Sequence, residues 1–185
     1  MQPWHDDGSQ PTAEAADGPL PFEALYERYF GFTWRALRHL GVPVPWLEDA
    51  AQEVWIIVHR RLPGFEARSS ARTWLFGIAL NVARNRRRGL RRAPAMQPLP
   101  EQLVCATPDP EDQHAGSEMW RTLESFLDTL DDQRRAVFVS SLIEQLPAAE
   151  AAAATGVEVA QVYHQVRRLR QAFKEYLASR QGEKR

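Results

Sequence analysis

The sequence predicts an all-α protein, two small helical domains joined by a flexible linker, the C-terminal one a helix-turn-helix. Three observations carry this. Apolar residues recur at spacings of three and four through two long stretches. No stretch alternates with period two, so nothing reads as a strand. Proline and glycine fall between the periodic segments rather than within them. The chain has 185 residues, 44% hydrophobic and 25% charged, which suits one ordinary globular domain or two small ones.

Residues 1–20 are rich in Pro, Gly, Ala and acid with almost nothing to bury, and read as a disordered tail. Phe22, Leu25, Tyr26, Tyr29 and Phe32 open a first helix, which Gly41, Pro43 and Pro45 end. A second runs from Trp46 to about Leu62, its buried stripe being Ala50, Ala51, Val54, Ile57, Val58 and Leu62; Pro63 and Gly64 stop it. A third spans about Arg72 to Arg88, with Leu75, Ile78, Ala79 and Val82 inward. The first domain is thus 21–92. A proline-rich, acidic linker covers 93–116, and the second domain 117–178, leaving a tail at 179–185. Met119, Trp120, Leu123, Phe126, Leu127 and Leu130 mark its first helix. Ala136, Val137, Phe138, Leu142 and Ile143 mark the next, from about Asp132.

Residues 146–173 carry the helix-turn-helix. Pro147 suits a first helical turn. The alanine run Ala148–Thr155 lets another helix cross closely, Gly156 takes a left-handed helix end, and Val157 plugs the turn. A second helix from near Val159 buries Val162, Val166, Leu169 and Phe173. Gln161, Tyr163, His164, Arg167, Arg168 and Arg170 then face outward. In such a motif Gln161, His164 and Gln165 suit base edges, and Arg167, Arg168 and Arg170 suit phosphates. A plain helical hairpin with a solvated basic face is the other reading.

Charge supports nucleic acid as a partner. The net charge is -1, but residues 21–92 hold thirteen Arg against six acids, 93–150 three Arg against eleven acids, and 151–185 seven cations against three acids. Six arginines lie between Arg84 and Arg92, beyond what helix capping needs. Phe65, Trp74 and Phe76 sit near them, either as core or as platforms for unstacked bases. Asn81 and Asn85, one turn apart, could hydrogen-bond a flipped base edge. Asp49, Gln52 and Glu53 form an acidic face that either caps its helix, the better reading for Asp49, or docks a basic protein surface.

Several classes are set aside. The single Cys105 excludes an intrachain disulfide, and the five histidines lack metal-ligand spacing. No phosphate-cradling glycine loop or catalytic constellation occurs, so neither enzyme, metal nor cofactor is expected. No apolar run reaches membrane length and no signal peptide is recognisable, so a cytoplasmic location without membrane insertion is expected.

Taken together, these segments resemble the sigma-70 family of bacterial RNA polymerase initiation factors, in particular the small extracytoplasmic-function type. EDAAQEVWIIVHRRLPGF resembles its polymerase clamp-binding helix, and RTWLFGIALNVARNRRR its promoter-melting segment. DDQRRAVFVSSLIEQLPAAEAAAATGV with VYHQVRRLRQAF resembles the domain that reads the −35 element. The resemblance covers about 21–92 and 117–177. It implies a sigma factor that binds core RNA polymerase, clamp helices and flap, and promoter DNA, with an anti-sigma factor as regulator. It implies that Asp49, Gln52 and Glu53 contact the clamp, displacing the cap reading. Phe65 and the loop Glu66–Arg72, including Arg68, Ser69 and Arg72, would hold a flipped −10 base, with Asn81 beside it. Arg84, Asn85, Arg87 and Arg88 would follow the −10 duplex edge, and the linker would thread toward the polymerase active site. The recognition helix departs from the family pattern. Where Thr, Val, Lys, Ser, Arg commonly follow a small residue, this chain has Gln161, Val162, Tyr163, His164 and Gln165 after Ala160, so its −35 preference should differ. The rival reading is a stand-alone helix-turn-helix transcriptional regulator, which leaves the acidic face and the aromatic loop unexplained; a scaffold with a degenerate recognition helix is a third.

Overall fold

The structure is a computed structural model that describes residues 21–92 and 118–182. The expected tail at 1–20, the linker at 93–116 and Cys105 lie outside the described residues. Among the described residues every regular element is helical: α1 Phe22–His39, α2 Leu47–Arg61, α3 Ala71–Arg92, α4 Glu118–Asp128, α5 Asp132–Phe138, α6 Ala148–Thr155 and α7 Val159–Gly182. No helix there is long and apolar enough to cross a membrane. The last helix continues past 178, where the sequence suggests the domain ends.

The helices α1, α2 and α3 pack on one another as the first unit. Leu25, Phe32, Leu37, Val54, Val58, Leu75, Ala79 and Val82 fill its core, which follows the i, i+3, i+4 pattern read from the sequence. Four positions depart from it. Tyr26, expected inward, is 39% exposed and lies with its ring against Trp55 and Phe30. Trp55, outside the expected stripe, is buried. Ile57 and Leu62 are only half-buried. The cause is a cluster of rings from two helices, Phe22, Tyr26 and Trp55, which draws the α1–α2 contact off the ideal stripe.

The helices α4 to α7 form the second unit around Phe126, Phe138 and Phe173. Asp131 caps α5 by accepting from the Arg134 amide at 2.8 Å. Arg135 is buried and donates to the Leu127 carbonyl and to Asp128, tying down the end of α4. Beyond α5 the chain widens into a five-residue π turn, Val139–Ile143, where the Glu144 amide donates to Val139. The sequence pattern predicts a regular α-helix through Ile143 instead. The widened turn rotates Leu142 and Ile143 partly out of the core and leads into Glu144, which is buried.

Gly156 ends α6 with φ +76° and ψ 27°, the left-handed conformation the sequence required. A Cβ there would meet nothing within 4 Å, so Gly156→Ala should cost only the backbone penalty. We expect about 1 kcal/mol, measured as a lowered midpoint in denaturant without change of slope. Pro147 stands just before α6 rather than within its first turn.

One core runs through both units. The alanine run in α6 packs against α7 and also against α3 of the first unit. His39 of α1 stacks on Trp120 of α4, with centroids 5.4 Å apart and rings 7° from parallel. Gly41, at φ +87°, allows the Arg135 guanidinium to lie where a Cβ would be.

Candidate nucleic-acid interface

Three surfaces collect the residues singled out in the sequence. The first is the outer face of α2. Asp49 and Gln52 are exposed in its first two turns. The cap position is Trp46, whose side chain makes no capping hydrogen bond, so Asp49 acts on this helix end only as a charge near its positive pole. Glu53 accepts from Arg86 of α3 at 2.9–3.0 Å and is held half-buried. Ile56, one turn on, is 52% exposed and continues this face. Sequence reasoning passed over Ile56. An apolar residue between the buried Trp55 and the half-buried Ile57 looks like core until the helix is oriented.

The second surface is an open hollow of about 590 Å³ between the end of α2, the loop after it and α3. Phe65 and Trp74 stack against each other at 4.6 Å. Arg68, Ser69, Glu66 and Gly64 complete the lining, together with Arg60 and Arg61 from the last turn of α2. Those two arginines were missed; their signal was two adjacent cations next to the aromatic loop. Ala67 holds φ +51°, a left-handed residue that bends the loop back. Arg68 pairs with Glu66 and remains highly exposed. Phe76, by contrast, is fully buried and belongs to the core.

Along α3, Asn81, Asn85 and Arg88 are exposed at spacings of four and three, forming one stripe. Arg72, Arg84 and Arg87 are placed differently. Arg72 lies over the Phe32 ring at 5.0 Å and donates to Glu144 at 3.0 Å. Arg84 donates to Gln133 at 3.1 Å. Arg87 pairs with Asp132 at 2.9 Å and also donates to the Leu40 carbonyl. Neither Arg72 nor Asn81 lines the hollow.

The third surface is α7. Gln161, Tyr163, His164, Arg167, Arg168 and Arg170 are exposed, Tyr163 at 67%. They divide into two stripes. Gln161, His164, Gln165 and Arg168 line a shallow hollow of about 500 Å³, while Tyr163, Arg167 and Arg170 flank it. Gln165 is half-buried, and its Oε1 has no hydrogen-bond partner. Arg134, from α5, closes the same hollow. It supplies a cation from a neighbouring helix to a recognition helix whose first turns have none. Among the described residues no group of His, Cys, Asp or Glu is arranged to hold a metal ion.

Fold and surfaces together define an all-helical protein of two units, the second a helix-turn-helix whose outer helix is open along its polar face. Comparison with known proteins narrows this. Sigma-70 region 2 matches residues 25–93, and Sigma-70 region 4 matches residues 120–173. The chain is 31% identical to the ECF RNA polymerase sigma factor SigE of Mycolicibacterium smegmatis over 189 residues, covering 97% of this chain and 73% of the relative. It is 33% identical to the ECF RNA polymerase sigma factor SigC of Mycobacterium tuberculosis over 144 residues, covering 76% of this chain and 74% of the relative. The solved structure of CnrH in complex with the cytosolic domain of CnrY superposes with a TM-score of 0.63 at 25% identity, covering 85% of this chain and 88% of that one. CnrH is a sigma factor of Cupriavidus metallidurans. The chain belongs to the extracytoplasmic-function RNA polymerase sigma factors.

Proposed function

We propose that this sigma factor divides its work among the three surfaces. The α2 face of Asp49, Gln52, Glu53 and Ile56 docks on the polymerase clamp, its carboxylates meeting basic groups around one apolar contact. The Phe65–Trp74 hollow captures an unstacked base of the −10 element, while Arg68 and Ser69 hold its phosphates and Asn81, Asn85 and Arg88 follow the strand. Extruding a base costs a few kcal/mol, and stacking on aromatic rings returns about 1–3 kcal/mol per base. Strand opening is therefore driven by capture, and the bond-making chemistry stays with the polymerase. The α7 helix reads the −35 element in the major groove, with Gln161, His164 and Gln165 toward bases and Arg134, Arg167, Arg168 and Arg170 toward phosphates.

The observation that carries this reading is that one chain holds both an open aromatic hollow and an open recognition helix. A stand-alone regulator needs only the second. CnrH is solved with the cytosolic domain of CnrY, and a further sigma factor, RpoE, with an anti-sigma factor. By that likeness this protein acts in the cytoplasm, where an anti-sigma factor restrains it.

Run-off transcription with purified core polymerase, this protein and genomic DNA of its source organism tests the reading. Discrete start sites are expected, and Asp49→Lys/Glu53→Lys should abolish them together with polymerase binding. Start sites that survive the double reversal would remove α2 from the interface; absence of polymerase binding by the unaltered protein would favour the stand-alone regulator.

A further inference from the structure

The outward face of α7 is not uniform. Val159 and Tyr163, one turn apart, are 41% and 67% exposed, and among the described residues no other helix exposes two large apolar side chains. They form one edge of the face. Gln161 and Gln165 each follow them by two residues, about 200° round the helix, and form the opposite edge. Both glutamines line the hollow that Arg134 closes, and the Gln165 Oε1 has no partner. Between the edges Ala160 is exposed and small, so the helix axis can come close to a surface laid against it. Cations flank both edges, Arg134 and Arg168 beside the glutamines, Arg167 and Arg170 beyond Tyr163. A single exposed apolar residue needs no explanation. A valine and a tyrosine in line, opposite a pair of amides and between arginines, form a surface with two unlike sides.

An A·T pair has the same two unlike sides in the major groove. Adenine presents the N6 donor and N7 acceptor toward one strand, and thymine presents its C5 methyl toward the other. A glutamine amide matches the donor and acceptor of adenine, and an apolar edge matches the methyl. A G·C pair has polar groups on both sides and leaves an apolar edge unmatched. We propose that α7 selects a short run of A·T pairs, with Gln161 and Gln165 on the adenine strand and Val159 and Tyr163 against the thymine methyls. The inference rests on the reading of α7 as the −35 helix, and adds the base pairs it selects and the apolar residues that select them. The flanking arginines then meet the two phosphate backbones on either side of the groove.

The test uses the full chain assembled with core polymerase and a pool of duplexes of about 20 base pairs, of which about ten, one helical turn, are randomised. Selected duplexes are remade with deoxyuridine for thymine, which deletes the C5 methyl and keeps every hydrogen-bonding group. We expect selection of adjacent A·T pairs with the adenines on one strand. Each thymine replaced in that run should weaken binding about three- to fourfold, the effect of one methyl group withdrawn from water. Val159→Ala/Tyr163→Ala should bind thymine and uracil duplexes equally, while Tyr163→Phe keeps the difference. The thymine-to-uracil comparison alters only the DNA, so misfolding cannot imitate it. Equal affinity of the unaltered protein for the two duplexes would overturn the proposal, as would selection of G·C pairs. A methyl effect that persists in Val159→Ala/Tyr163→Ala would assign it to another side chain and overturn it too. If those substitutions spare DNA binding and weaken assembly with polymerase, the apolar edge is a protein contact instead. All of these outcomes leave α7 as the −35 reader. A pool that gains no sequence preference, or a preference that survives Gln161→Ala/Arg168→Ala, would remove α7 from base reading, and the proposal would fall with that reading.

Discussion

Phe65→Ala is expected to lower run-off transcription about five- to a hundredfold while leaving polymerase binding unchanged. The range follows from a stacking contribution of about 1–3 kcal/mol per base, at tenfold for each 1.4 kcal/mol. Phe65 lies in the loop after α2, half-buried, with its ring against Trp74. Truncating it removes the platform and spares the core, so the thermal midpoint should move little. A template whose −10 strands are mismatched distinguishes the cause. With the strands already apart, the unstacking cost falls on neither protein, and the deficit of Phe65→Ala should shrink several-fold. A deficit of the same size on both templates would show that the ring serves something other than opening.

Acid should loosen the joint between the units through His39. Burial holds its pKa down at about 4, from 6.5, and the neighbouring Arg38 and Arg35 push in the same direction. The imidazole is therefore neutral in the folded chain, stacked on Trp120, with Nδ1 buried and without a hydrogen-bond partner. Arg38 also pairs with Glu124 of α4 across the joint. The unfolded chain binds a proton at His39 below pH 6.5, whereas the folded chain does not until about pH 4. Stability from this group is thus complete above 6.5 and falls as pH drops toward 4, by about 3 kcal/mol at 1.36 kcal/mol per pH unit. Denaturant titrations at neutral pH and near pH 4 should show that loss in excess of the loss in His39→Gln, which cannot titrate. Carboxylates that titrate in the same range cancel in the difference. Equal slopes in the two proteins would mean that the imidazole is not held neutral by the fold.

Much of this molecule is legible along the chain. Helix ends near Gly41, Gly64 and Gly156 follow from backbone geometry that any neighbouring sequence would have to obey. The inward positions of α3 and α7 follow from a period of 3.6, because the residues that share a face are close in sequence. The polar face of α7 is visible for the same reason, whereas Phe65, Trp74 and Phe76 stand together in the sequence and only the structure separates the stacked pair Phe65 and Trp74 from the buried Phe76. Ile56 and Trp55 are not legible either. They are adjacent apolar residues, and only the ring cluster with Phe22 and Tyr26 decides that the indole goes inward and the isoleucine out.

The helices, their order, the turn glycine, the segregation of charge into basic and acidic blocks, and the family are all readable along the chain. Tertiary structure alone decided which arginines stand open and which are engaged. Arg88 is exposed while Arg87, its neighbour, meets Asp132, and Arg72 finds Glu144 seventy-two residues away. Helical periodicity is set by neighbours a few residues apart, so it can be read locally. An ion pair between the two units has no preferred spacing in sequence: a carboxylate attracts whichever cation the packing of the second unit on α3 brings within reach.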